Sequence, residues 1–586
     1  MLARKIPICL IIHKIKLHRI RLIKVEKAPA LRAPSCYNTQ QMQGEKKLLF
    51  AALVLGFFNL LSLVLGLIRD RLLASHIGPG EILDTYYAAF KIPDTIHLIM
   101  MSVISTITIV PIFSRLIREE NFKKVGEMFS TLILFVAGIL IFFAFSMYFL
   151  IPHVLDWYVP GFSFSQREML VQITRVLMLQ PIFLATSYII GSMLQVKEKF
   201  FYFSLAPVLY NLGGIVGVSI LYPIYGLTGL GMGIVIGAVL HLSVNLYGLR
   251  RVPEKIWSGF NFSFAHVRDI AAVAGPRSIT LGVQQLRLLT FATAGSLLPA
   301  GAISVYNLSY NLYWIPVSII VMSYLVTIYP KLSILDDRKE LSLFVSNVLN
   351  YFIFILMPII CFGFVLRAYI VRIAYGSGVF DWQSTRLIAA TFAVFLFVLI
   401  FDAIRKLFSR VLFARGVVWA QFLIEIVLLL VQSLIFIFAF KYIIKIIAPS
   451  LSMLLNINME SIDIIGLAFI FFALAIVELL ILYIFVRRHV DIHISESVFH
   501  AIFASIGGGL IAYMGVNIFE EWSKIDVTTI GLLIQSGLAF LMGGSTWYII
   551  LKIFQNSEIV LLEDAVKRKI WRNKIESVKE NTEVVE

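Results

Sequence analysis

The chain has 586 residues, of which 59% are hydrophobic and only 15% charged, and its mean hydropathy is +0.88. Soluble domains carry roughly 25% charged residues, so soluble enzymes, coiled coils, disordered proteins and disulfide scaffolds are excluded. The 50 Lys and Arg against 35 Asp and Glu give +15, which in a polytopic membrane protein reads as positive charge gathered in cytoplasmic loops rather than as a nucleic-acid surface. The three cysteines, Cys9, Cys36 and Cys361, are scattered without metal-ligand spacing.

A bilayer core takes about 20 apolar residues per helix. About fourteen such spans are expected, roughly at 48–69, 82–114, 129–151, 168–195, 200–222, 227–249, 268–298, 301–329, 344–366, 386–409, 418–440, 463–486, 499–518 and 528–554. The runs are too long for barrel strands, so the fold class is an all-α membrane bundle. Loops after even-numbered spans hold most of the cations, among them Arg115, Arg118, Lys197, Arg250, Lys331, Arg410 and Arg487. The positive-inside rule then places both termini in the cytoplasm of a multi-pass plasma or inner membrane protein. The expected organisation is a basic extension at 1–47, six helices at 48–250, six at 251–490, two more at 491–555 and a charged cytoplasmic tail at 556–586. The extension holds about eleven Lys and Arg. It reads equally as a basic arm on anionic lipid or as residues preceding a start at Met42. Loops of at most about 25 residues leave no room for an extramembrane catalytic domain, and no phosphate-cradling loop of the nucleotide-binding type appears.

Charges within spans mark pathways by default. The second span carries Asp84, Lys91, Asp94 and His97 with Pro93 among them. At ~100° per residue Asp84 and Lys91 are nearly eclipsed. They read either as a structural ion pair or as the wall of a hydrated cavity. The seventh span carries Arg277, Gln284, Gln285 and Arg287. Arg277 also reads as a side chain reaching the cytoplasmic edge. Glu425 and Glu478 lie in the middle of the eleventh and twelfth spans, as coupling sites for a cation or proton or as partners of a neighbouring charge. Prolines at 93, 181, 207, 276, 316 and 358 suggest bent helices, as in transporters. A faint repeat links YYAAFKIP (86–93) with YNLSYNLYWIP (306–316), each after a Gly-containing turn.

The stretch SLVLGLIRDRLLASHIGPGEILDTYYAAFKIPDTI (62–96) resembles the first two helices of the MurJ (MviN) lipid II flippase family, of the multidrug/oligosaccharidyl-lipid/polysaccharide exporter superfamily. VPGF (159–162), LAPVLYNLGGIVG (205–217), GPRSITLGVQQLRLL (275–289), AYGSGVFD (374–381) and IRKLFSRVLFARG (404–416) follow in family order. The resemblance implies two six-helix lobes around a central cavity, alternating access, and carriage of a polyprenyl-diphosphate-linked precursor, lipid II, for peptidoglycan synthesis, cell-wall biogenesis and cell shape. It implies the lipid-linked precursor and the cell-wall synthesis machinery as partners, and no nucleic acid. By this resemblance Arg69, Asp84 and Lys91 match family positions. Family cavity arginines fall instead on Leu63, His97 and Asn311, and a Glu-Gly pair falls near Ser102-Val103. The expected substrate-binding set is therefore Arg69, Asp84, Lys91, His97, Arg277, Arg287 and Asn311, with no metal and no cofactor, and with coupling to membrane potential, H+ or Na+ involving Glu425 or Glu478. Other readings keep the fold and change the cargo to another lipid-linked glycan or a small molecule exported by cation coupling. A scaffold without transport and a membrane enzyme are further alternatives, the enzyme disfavoured by the short loops.

Overall fold

A computed structural model describes residues 39–104, 106–252, 262–455, 462–523, 528–564 and 567. The chain divides into two units, residues 1–52 and 53–586. The described part of the first, 39–52, is helical. It is the start of α1 (Thr39–His76), which runs on into the second unit.

The second unit is helical because apolar side chains surround a backbone that must satisfy its own hydrogen bonds in lipid. After α1 come α2 (Glu81–Ile104), α3 (Thr106–Arg118), α4 (Phe122–Tyr158), α5 (Phe164–Leu177), α6 (Gln180–Val196), α7 (Phe200–Val216), α8 (Tyr222–Tyr225) and α9 (Leu227–Arg250). The next group is α10 (Phe264–Ser296), α11 (Ala302–Pro316), α12 (Ser323–Ile334), α13 (Arg338–Val365), α14 (Arg367–Tyr375), α15 (Trp382–Ala414), α16 (Val418–Leu434), α17 (Phe440–Leu455) and α18 (Ile462–Val486). The chain closes with α19 (Glu496–Ser523) and α20 (Thr529–Ile553).

Among the described residues, 12 helical stretches are long and apolar enough to cross a membrane. The expected spans at 82–114 and 268–298 are helical too, as α2 with α3 and as α10.

Three helices turn through π-helical segments, at Gly217–Leu221, Val317–Met322 and Ile435–Ala439. The second follows Pro316, which closes α11. Such wide turns interrupt the regular ladder and re-aim the side chains beyond them. The expected single span at 168–195 breaks at Met178–Leu179, with Pro181 in the first turn of α6. Ser163 and Gln166 form a capping box at the start of α5, satisfying two backbone donors reciprocally.

Glycines set one crossing. A Cβ on Gly213 of α7 would run into the backbone of Gly237 in α9, and one on Gly217 would lie 2.9 Å from the Gly233 Cα. Small residues let backbones meet closely where lipid supplies no hydrophobic drive between helices.

α2 packs against α5, α6, α10 and α11, and so joins the earlier helices to the later ones. The turn after α1 meets the turn before α15, where the Val379 N–H donates to the Ser75 carbonyl at 3.0 Å. Nearby, the Gly161 N–H donates to Ser296 Oγ at 3.3 Å and the Tyr158 hydroxyl to the Ala88 carbonyl at 2.8 Å. Elsewhere, the Ser263 N–H donates to Thr131 Oγ1 at 3.2 Å, tying the approach to α10 to α4.

Candidate functional site

Near its end the otherwise apolar α1 places Arg69 and Asp70 side by side. The Arg69 guanidinium donates to Asp70 Oδ1 from Nε at 3.1 Å and from Nη2 at 2.9 Å. Its Nη1 donates to Asn211 Oδ1 of α7 at 3.4 Å. Asp70 Oδ2 accepts from Asn311 Nδ2 of α11 at 2.9 Å. Asn211 is itself fixed by donating to the Ser62 carbonyl and hydroxyl, each at 3.0 Å. Three helices thus converge on one cation. A cavity of about 340 Å³ opens beside it, lined also by Asn59, Leu63, Trp314 and Tyr375.

Trp314 also borders a second cavity of about 370 Å³, walled by α10, α15, α16 and α18. Three cations pair with three carboxylates there, and Arg410 lines the same cavity. Arg287 Nη1 contacts Glu425 Oε2 at 2.6 Å and Glu478 Oε2 at 3.2 Å. Arg405 bridges Glu478 and Asp402, and Lys406 reaches Asp402 at 3.2 Å. Tyr313 donates to Asp402 Oδ2 at 2.6 Å, and Gln284 to Glu425 Oε1 at 2.6 Å. Buried charge is tolerable only when paired and hydrogen-bonded in this way. A third, small space of about 20 Å³ holds Lys91 against Phe291, Tyr306, Asn307 and Tyr310.

The expected site residues thus part company. Arg69 and Asn311 share the first cavity, and Arg287 sits on the second with both Glu425 and Glu478. Each carboxylate considered for ion coupling is in contact with Arg287. Asp84 departs from both readings of it, being neither ion-paired to Lys91 nor on a cavity wall. Its oxygens accept from the backbone N–H of Gly301 and of Ser304, each at 2.7 Å. A carboxylate so placed caps the N-terminus of α11 and complements its dipole. The electrostatic partner of Lys91 is Asp94, one turn further along α2. His97, expected on the cavity, is buried against the ring of Tyr188. Arg277 lies on α10, with its side chain outside the described residues, and the side chains of Ser102 and Val103 lie outside them too.

Contributors absent from the expected set include Asp70, Asn211, Asp402, Arg405 and Lys406. The run DAIRK (402–406) inside a hydrophobic span was the available signal, because spacings of three and four put all three charges on one helix face. Asn211 had no comparable signal. Beyond α11, a large apolar cavity of about 920 Å³ lies between α13 and α20, and Ile315 borders both it and the Arg69 cavity.

The model of the family described as "Lipid II flippase MurJ" matches residues 73–533. The "Probable lipid II flippase MurJ" of Rhizobium tropici is 23% identical over 356 residues, spanning 58% of this chain and 66% of the relative. That of Rickettsia prowazekii is 24% identical over 384 residues, spanning 62% and 73%. Among solved structures, "Lipid II flippase MurJ, inward closed conformation" matches with a TM-score of 0.66 at 20% identity, covering 86% of this chain and 100% of that one. An inward-facing MATE family transporter of the MOP superfamily matches with a TM-score of 0.58 at 13% identity, covering 73% and 95%. At these identities the structural likeness shows the fold alone, while the family model reaches across most of the chain. This chain belongs to the lipid II flippase MurJ family.

Proposed function

We propose that the chain is a flippase that carries a polyprenyl-diphosphate-linked cell-wall precursor, lipid II, from the inner to the outer leaflet of the plasma or inner membrane by alternating access. Both termini lie in the cytoplasm, as the loop charges indicate. The cell-wall synthesis machinery on the far side takes up the product. The observation that carries this reading is the pairing of two unlike spaces. A cavity with Arg69, Asp70 and three asparagines on its wall adjoins, through Ile315, a much larger apolar one. The cargo has the same two parts. Its diphosphate cannot cross hydrocarbon uncompensated, and an arginine fork replaces lost water with paired hydrogen bonds to phosphate oxygens. Its prenyl chain needs only an apolar groove.

In this reading Arg69 grips the diphosphate, Asp70 and Asn211 aim the guanidinium, and Asn311 presents its amide beside it. Lys91 waits in the small space that shares Phe291 and Tyr310 with the second cavity. The membrane potential, worth ~2.3 kcal/mol per charge per 100 mV, contributes to the return step. One observation favours a second cargo. Leu63, on the cavity wall, and Asn311 stand where the family resemblance expects arginine, and Arg287 already has two carboxylates. A headgroup with less negative charge, on another lipid-linked glycan, suits that wall.

The test is rescue of a bacterium depleted of its own lipid II flippase, with an Arg69→Ala control and a blot for membrane insertion. Rescue that requires Arg69 supports lipid II as cargo. Failure by a well-inserted protein sinks lipid II, and the lipid that co-purifies then names the cargo.

A further inference from the structure

A further polar cluster, not used by the cargo site, lies where α2 packs on α6 and α6 in turn packs on α9. The ring of Tyr188 stands between two imidazoles, with centroids 5.6 Å from His97 and 5.0 Å from His241. His97, His241 and Asn245 are all more than nine-tenths buried. Ser187 ties the cluster together. Its hydroxyl donates to the His241 carbonyl at 3.0 Å, accepts from Asn245 Nδ2 at 2.8 Å, and lies 2.7 Å from His241 Nδ1. A hydroxyl has one proton to give. With that proton on the carbonyl, Nδ1 must be the donor, so a neutral His241 carries its lone pair on Nε2. That atom has no partner, and neither has Asn245 Oδ1 nor His97 Nδ1. Buried polar atoms are nearly always satisfied, so three orphans in one cluster ask for a ligand. A buried imidazole nitrogen with an unshared lone pair suits the smallest cation of all, a proton.

We propose that the His97–Tyr188–His241 stack is a proton-binding site, with His241 Nε2 as acceptor, whose occupancy is linked to the separation of α2 from α6 and α9. One proton from water forms the Nε2–H bond, and the same bond breaks on release; no other bond changes. The imidazolium needs water or a counter-charge. The charge of Asp94, three residues before His97, reaches Tyr188, and that of His97 reaches His241. On α7, Tyr210 also faces Asp94 and Tyr188. Lys91 faces Asp94 from the same helix. On the other neighbours of α2, Arg287 of α10 is paired with Glu425 and Glu478, Arg167 of α5 with Asp156, and Arg175 of α5 donates to the Tyr148 carbonyl. Among the described residues no ion pair or hydrogen bond joins a carboxylate to the two imidazoles. The proton is therefore held best in an arrangement that admits water or swings Asp94 inward, and a ligand shifts a protein toward the state that binds it better. Because α2 also packs on α10 and α11, its movement reaches both cavities. This site gives the carrier proposed above its coupling ion, and rests on that reading only for its purpose.

The experiment needs no cargo. The full chain in lipid nanodiscs is subjected to hydrogen–deuterium exchange at about pH 8 and about pH 5.5, bracketing histidine titration and corrected for intrinsic rates. Exchange in α2, α6 and α9 is expected to rise by about fivefold at the lower pH, reporting local opening. The rise should vanish in His241→Gln and, independently, in His97→Gln. Unchanged exchange in the wild type, or a rise that survives in both variants, overturns the proposal. A pH-dependent rise with no lipid transport would sink the flippase reading and leave the proton site standing.

Discussion

Arg69 and Arg287 are both arginines within helices of one membrane protein, and their surroundings make them different tools. Arg69 has one carboxylate and one amide, and its side chain keeps 21% of its surface open beside a cavity. Arg287 keeps 9%, between two carboxylates that are themselves 1% and 2% exposed, in a network where three cations balance three anions. A guanidinium has five donors. Where protein acceptors leave some unfilled, they can serve a passing phosphate. Arg287 spends no more donors than Arg69, three hydrogen bonds each, but two buried carboxylates already neutralise its charge, and it clamps helices together. Recognition and scaffolding are thus separated by the partners rather than by the residue type.

The largest test of that division is Glu478→Ala. It leaves Arg287 and Arg405 short of their shared carboxylate, and removing one partner of a buried pair costs about 3–5 kcal/mol. A marked fall in thermal unfolding temperature in detergent is expected. An unchanged unfolding temperature would mean that the network holds nothing together. Arg69→Ala should do the reverse. Rescue of the depleted strain should drop by roughly 100-fold or more, while stability falls by only about 1.5–3 kcal/mol, the range for a hydrogen bond to a charged group, because Asp70 keeps its bond from Asn311. If both variants unfolded alike, the contrast between the two arginines would break. Asp84→Ala should cost about 1 kcal/mol, as the loss of a helix cap does. Asp84→Asn should restore part of that, and neither should change which lipid co-purifies. The smallest effect expected is a sharpening one. Leu63→Arg adds a cation to the first cavity, and co-purified polyprenyl diphosphate should rise several-fold, the scale of about 1 kcal/mol of charge-assisted bonding. A fall in bound lipid would show that Leu63 faces the wrong part of the cargo.

Hydropathy alone located the spans, because burial in lipid demands runs of fixed length whatever their neighbours. The helices α18 and α20 fall within a residue or so of their expected bounds. The break between α5 and α6 was less legible, since Pro181 only signals that a helix bends, not where its ladder restarts. Asp84 shows the limit more sharply. Its place among the charges of α2 is plain in the sequence, but the donors that claim it come from a turn 217 and 220 residues away. His97, expected on the cavity, meets Tyr188 of α6 instead.

By itself the sequence determined the membrane-spanning helices, the family resemblance and the rows of charge on α2, α10 and α15, because each is a matter of local composition and helical period. Only the tertiary structure decided which charges are spent on one another. Arg287 meets carboxylates 138 and 191 residues further on, and the partner of a buried charge is fixed by helix packing, not by spacing along the chain.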